Sequence, residues 1–104
     1  MHEELDKIVY CTLIAPRRQR DALLAMLCAV GARMVHTQYG RGSVKAGYLQ
    51  NVLGLVPEEH KVVITCVLTK EKFSAAHKEL LEKFHFDRPN TGIAFTIPID
   101  NMSF

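Results

Sequence analysis

The chain has no framework of paired cysteines, no long apolar run, little net charge and no segment of low complexity. Each lack closes off a class of protein. Its three cysteines, Cys11, Cys28 and Cys66, are an odd number, and each lies in an apolar segment. They read as buried free thiols of a reducing compartment, not as the disulfide scaffold of a small secreted domain. The apolar runs fall far short of a membrane span, and the opening MHEELDK is acidic with no signal-peptide pattern. The expectation is a cytoplasmic domain without membrane insertion. A net charge of +2, with basic and acidic residues interspersed, gives no reason to expect nucleic acid. The longest basic run is Arg17-Arg18-Gln19-Arg20. Five histidines (His2, His36, His60, His77 and His85) include no pair four residues apart and no tight cluster with cysteine or carboxylate. No metal site is expected from them. No nucleophile stands beside an acid–base partner in the sequence, so no catalytic residue is assigned and the chain is not expected to be an enzyme.

What is present is a clear alternation of element types over 104 residues, of which 48% are apolar. That length suits one domain, residues 1–104, burying about two thirds of its unfolded surface. KIVYCTLIA (7–15) is rich in β-branched residues and stops at Pro16, so it reads as a strand. Pro16 can open a helix. Leu23, Leu27 and Val30 then recur at helical spacing before Gly31, which predicts a helix over 17–30. Residues 33–39 alternate weakly and read as a strand. KVVITCVL (61–68) is a strand, and Thr69 can cap a helix whose stripe is Phe73, Ala76, Leu80 and Phe84. Pro89-Asn90 marks a turn, and GIAFTIPI (92–99) is the last strand.

The order strand, helix, strand, insertion, strand, helix, strand predicts an α+β ferredoxin-like sandwich (βαββαβ). Both helices would pack on one face of a four-stranded antiparallel sheet, with the first and third strands central. Those two strands are apolar on both faces. Val62, Ile64, Cys66 and Leu68 alternate with Val63 and Val67, and Ile8, Tyr10 and Ile14 with Val9, Cys11 and Leu13. Leaving four or five such side chains in water forgoes about 1.5–3 kcal/mol each. The second face therefore needs a cover, and another copy of the chain is the simplest one.

The insertion, QYGRGSVKAGYLQNVLGL (38–55), contains an extra short helix between the second and third strands. Ser43 is a good N-cap, Val44, Tyr48 and Val52 follow at steps of four, and Gly54 can close it. Gly40-Arg41-Gly42-Ser43 is then a glycine-rich turn delivering a helix N-terminus, with Lys45 in its first turn. Free N–H groups and two cations make a place where an anion can sit. The same glycines also serve a strand end that merely needs a tight bend.

At these residues the chain resembles the PII signal-transduction family, and more closely the short PII-like proteins grouped with it. Ile14-Ala15-Pro16 closes the first strand as in that family, and Val30-Gly31-Ala32 ends the first helix. Tyr39-Gly40-Arg41 resembles the start of the T-loop, and PNTGIAFTIPID the glycine-containing B-loop running into the last strand. The resemblance implies a homotrimer that senses a small effector, often an adenine nucleotide, in clefts between subunits. It would report the ligand to a target protein through the T-loop, with nitrogen regulation as the associated role. Gly40, Arg41 and Gly92 transfer as positions of the effector site, and Gly42, Ser43, Lys45 and Lys61 are added as local charge and backbone donors. The chain departs from the family at Ile93, where a phosphate-contacting lysine is usual, and at the C-terminus, DNMSF, which lacks the family's basic residues. The resemblance thus implies an adenine nucleotide or an adapted anionic effector without naming it. Tyr48 is not equated with the family's modified tyrosine. The alternative is a metal-binding or enzymatic ferredoxin-like trimer with its site between subunits.

Overall fold

A computed structural model describes residues 7–41, 60–88 and 91–101. The elements are β1 (Ile8–Pro16), a 3-10 turn (Arg17–Gln19), α1 (Arg20–Val30), β2 (Arg33–Arg41), β3 (His60–Thr69), α2 (Lys70–Glu82) and β4 (Ile93–Pro98). The strands form one sheet in the order β2-β3-β1-β4, every neighbouring pair antiparallel. This is the expected ferredoxin-like α+β sandwich, with the first and third strands in the middle. The expected helix within the insertion, with Gly42, Ser43, Lys45 and Tyr48, lies outside the described residues, as does the Pro89-Asn90 turn.

Alternation along the central strands sends Val9, Cys11, Leu13 and Ala15 of β1, and Val62, Ile64, Cys66 and Leu68 of β3, to the face that the helices cover. None of these is more than 4% exposed. Leu23, Met26 and Leu27 of α1 and Ala76 and Leu80 of α2 close over them at steps of three and four. Phe73 and Phe84 are half-buried at the margin of this core, Phe84 just beyond the end of α2.

The helix ends follow local chemistry. Gly31 takes the left-handed conformation (φ 87°), with its N–H bonded to the Cys28 carbonyl and that of Ala32 to the Leu27 carbonyl. That pair of bonds is the Schellman stop the glycine predicts. The Thr69 hydroxyl accepts from the Lys72 N–H at 3.2 Å and so caps α2, as expected. On the outer surface of α2, Glu79 and Lys83 pair at 2.9 Å.

Two expectations need correction, and the weak alternation of the expected second strand finds its cause. The first helical turn after Pro16 is 3-10, and α1 begins only at Arg20; neither Pro16 nor Gln19 supplies a capping side chain. The weak alternation of β2 has its cause in a bulge between Arg33 and His36, where Met34 takes φ 54° and lies 80% exposed. Cys28 is exposed on α1, whereas Cys11 and Cys66 are buried.

Cys11 and Cys66 stand directly opposite one another. The Lys70 N–H donates to the Lys7 carbonyl at 2.7 Å, which makes that pair hydrogen-bonded. Counting inward by twos makes Cys11–Cys66 a hydrogen-bonded pair too, with Cβ atoms about 5.5 Å apart. A disulfide needs about 3.8 Å, so the geometry favours two thiols. Their mutual hydrogen bond, followed by burial, pushes the Cys11 thiol well above its ordinary pKa. A buried, protonated thiol is a core filler and not a nucleophile.

Candidate functional site

The sheet register gathers separated parts of the sequence at one end of the sheet. Gly40 on β2 lies opposite Lys61 on β3, and Lys61 lies opposite Pro16 on β1. Ile93 on β4 lies opposite Ile14, which places Gly92 one residue further toward the same end. Gly40, Lys61 and Gly92, all expected at the effector site, thus share one end of the sheet, Gly92 one residue out of the Gly40–Lys61–Pro16 row. Arg41 ends β2 one residue beyond that row, its backbone opposite His60. Gly42, Ser43 and Lys45 follow it outside the described residues.

The row does not converge within one chain. β2 and β4 are the two edges of the sheet. With strands about 4.8 Å apart, the backbones carrying Gly40 and Gly92 are about 14 Å apart, beyond the span of one small anion.

The residues before Gly92 are tightly built. The Thr91 hydroxyl donates to the His85 carbonyl at 2.5 Å and contacts the Arg88 carbonyl at 2.8 Å. The Phe86 N–H bonds back to the Leu80 carbonyl at 3.0 Å, and the Phe86 ring meets Phe84 edge-on. That ring lies against Gly92 so closely that a Cβ there would come within 2.4 Å of a ring atom. The glycine is therefore required by close approach.

Lys61 is 5% exposed, and alternation places it on the sheet face away from the helices. That face also carries Tyr10, Phe95 and Ile97, which are 39%, 44% and 52% exposed. The register sets Tyr10 between Val67 and Ile97, and Thr12 between Thr65 and Phe95. The result is an apolar surface across β3, β1 and β4 that no element of the described chain covers.

On the helix side of the same sheet end lies a groove of about 380 Å³ lined by Arg17, Arg18, Arg20, Asp21 and Tyr39. The Arg17 guanidinium stands 4.5 Å from the centroid of the Tyr39 ring. Arg20 donates to the Tyr39 hydroxyl and pairs with Asp21 at 2.7 Å. These bonds, the one to Tyr39 foremost, hold the Arg20 guanidinium above its ordinary pKa. Sequence reasoning registered 17–20 only as a basic run. The signal was present in three arginines directly after a strand, but the ring that organises them is 19 residues further along.

Among the described residues no group of three or more histidine, cysteine or acidic side chains is placed to hold a metal. Among them, too, no helix is long and apolar enough to cross a membrane.

No protein-family model matches the chain, and no curated protein sequence matches it significantly. Solved structures do. A PII-like signalling protein from Thermus thermophilus superposes with a TM-score of 0.63 at 17% identity, over 86% of this chain and 84% of that one. CPII from Thiomonas intermedia K12, bound to ADP, AMP and acetate, gives 0.63 at 12% identity, over 86% and 82%. Arabidopsis thaliana PII, bound to citrate, gives 0.63 at 17% identity, over 90% and 78%. The element order, the central pairing of β1 with β3 and both helices on one face therefore make this the fold of the PII-like signalling proteins.

Proposed function

We propose that the chain is a non-enzymatic regulator of the PII type, acting as a cytoplasmic homotrimer. In this reading a small anionic effector sits in the clefts between subunits, and residues 40–59 relay its presence to a target protein. The observation that carries the reading is the placement of Gly40 and Gly92 at one end of the sheet but on opposite edges. One chain cannot close a site around both, whereas neighbouring copies can bring the β2 edge of one to the β4 edge of the next. The uncovered apolar face supplies the driving force for that assembly.

Forms of CPII are bound to ADP, AMP and bicarbonate, which favours an adenine nucleotide or a small carboxylate-like anion as the effector. Ile93 follows Gly92 where the family resemblance leads one to expect a lysine. Cationic compensation then falls to Arg41, Lys45 and Lys61, with Gly42 and Ser43 offering backbone donors. A role in nitrogen regulation follows from the resemblance alone.

Sedimentation tests the assembly, and a thermal-shift screen of ADP, AMP, bicarbonate and divalent metals tests the ligand. A ligand at a hundred times its dissociation constant adds about 2.7 kcal/mol of stability. A stable monomer at micromolar concentration overturns the trimer. An intact trimer that binds no nucleotide or small anion at millimolar concentration overturns the effector half. Reproducible nucleotide turnover, lost on replacing one histidine or cysteine, overturns the regulator reading.

A further inference from the structure

The arginine groove opens on the helix side of the sheet end, the face opposite to that of Lys61 in the proposed effector cleft. Tyr39 is opposite Val62, whose side chain is buried on the helix side, whereas Lys61 belongs to the other face. Its lining brings three arginines and the carboxylate of Asp21 around Tyr39.

The Arg17 and Arg20 guanidinium groups are held in place, which lowers the entropic cost of ordering long side chains around a ligand. Arg17 stacks over the face of Tyr39, a cation–π contact. Arg20 spends its Nε and Nη2 on Asp21, at 2.8 and 2.7 Å, and donates from Nη1 to the Tyr39 hydroxyl. A guanidinium has five N–H donors, so two of Arg20 are left for a ligand. Planar guanidinium forks match the oxygens of phosphate. The charges also cluster around one ring instead of forming the extended basic track that a nucleic acid needs.

We propose that this groove is a second anion site, taking a phosphate-type oxyanion (free phosphate or a phosphomonoester) through Arg17 and Arg20. Tyr39 directly precedes Gly40-Arg41, so an anion here sits at the root of the segment that enters the insertion. The ring serves as the positioning element and the guanidinium groups as the contacts.

The test is titration of the full chain with inorganic phosphate and pyrophosphate in a phosphate-free buffer of low ionic strength, followed by calorimetry and phosphorus NMR. Arg17→Ala is expected to weaken binding roughly tenfold to a hundredfold, the range of a charge-assisted hydrogen bond. The Arg17→Ala/Arg20→Ala double variant should show no binding, and Arg17→Lys should fall between, because it keeps the charge and loses the fork. These side chains stand at the surface, so the melting curve should stay close to that of the parent and certify the fold. Saturating ADP should leave phosphate affinity unchanged. If ADP fails to bind at all, the effector reading fails while the phosphate titration still decides this one. The proposal is overturned if the parent chain binds neither anion, if the double variant binds as well as the parent, or if ADP displaces phosphate. It is also overturned if a glutamate-rich peptide binds the groove and phosphate does not.

Discussion

The two faces of the sheet are built by the same strands, one residue out of phase, and they have opposite fates. On one, Leu13, Val62, Ile64 and Cys66 are fully buried under α1 and α2. On the other, Tyr10, Phe95 and Ile97 remain 39% to 52% exposed although their chemistry is no more polar. Side chains of comparable hydrophobicity are thus buried within the chain on one face and left exposed on the other. The first face accounts for why the chain folds, and the second is the surface that the proposed assembly would bury.

The largest expected effect falls on the uncovered face. Val67→Asp puts a carboxylate beside Tyr10, where an apposed copy would have to bury it. An uncompensated buried charge costs about 3–5 kcal/mol, enough to turn a trimer into monomers while circular dichroism stays native. Unchanged sedimentation would mean that the copies meet elsewhere.

The mirror experiment is Leu13→Ala on the covered face, 0% exposed. It should lower unfolding free energy by about 2–5 kcal/mol, read from denaturant titration at constant subunit concentration. The loss should persist in a monomeric Val67→Asp background, because that core belongs to one chain. If the loss vanishes there, the two faces are not independent.

A smaller effect is expected at the sheet end. Gly92→Ala drives a methyl group into the Phe86 ring, 2.4 Å away at closest approach. The overpacking should cost about 1–3 kcal/mol, and Phe86→Leu should relieve part of it. Smallest of the four is Thr69→Ala, which removes the cap of α2 and should cost about 1 kcal/mol. Thermal melts resolve both, and neither should alter the assembly.

Much of this architecture was legible in the residues. Two-residue alternation in 61–68 assigned Val62, Ile64, Cys66 and Leu68 to one face, and they are the buried ones. Gly31 and Thr69 marked a helix end and a helix start through their own backbone and side-chain chemistry. The bulge in β2 was not legible, because Met34 is pushed out of alternation by a backbone choice that its side chain does not announce. The exposure of Cys28 was missed for a related reason. An apolar segment of helix still has an outer side, and only packing decides which residues lie on it.

The sequence by itself determined what depends on a few neighbouring residues: the order of the elements, the apolar period of each and the stops and caps between them. The family resemblance also singled out Gly40, Arg41 and Gly92 as effector-site candidates, with Lys61 added as nearby charge. Only the tertiary structure decided that Gly40, Lys61 and Gly92 share one end of the sheet, that Cys66 faces Cys11, and that Tyr39 receives two arginines. Those facts rest on strand register and edge placement, set by contacts between residues tens of positions apart. A one-residue slip in pairing would leave every local pattern intact while turning each side chain to the opposite face.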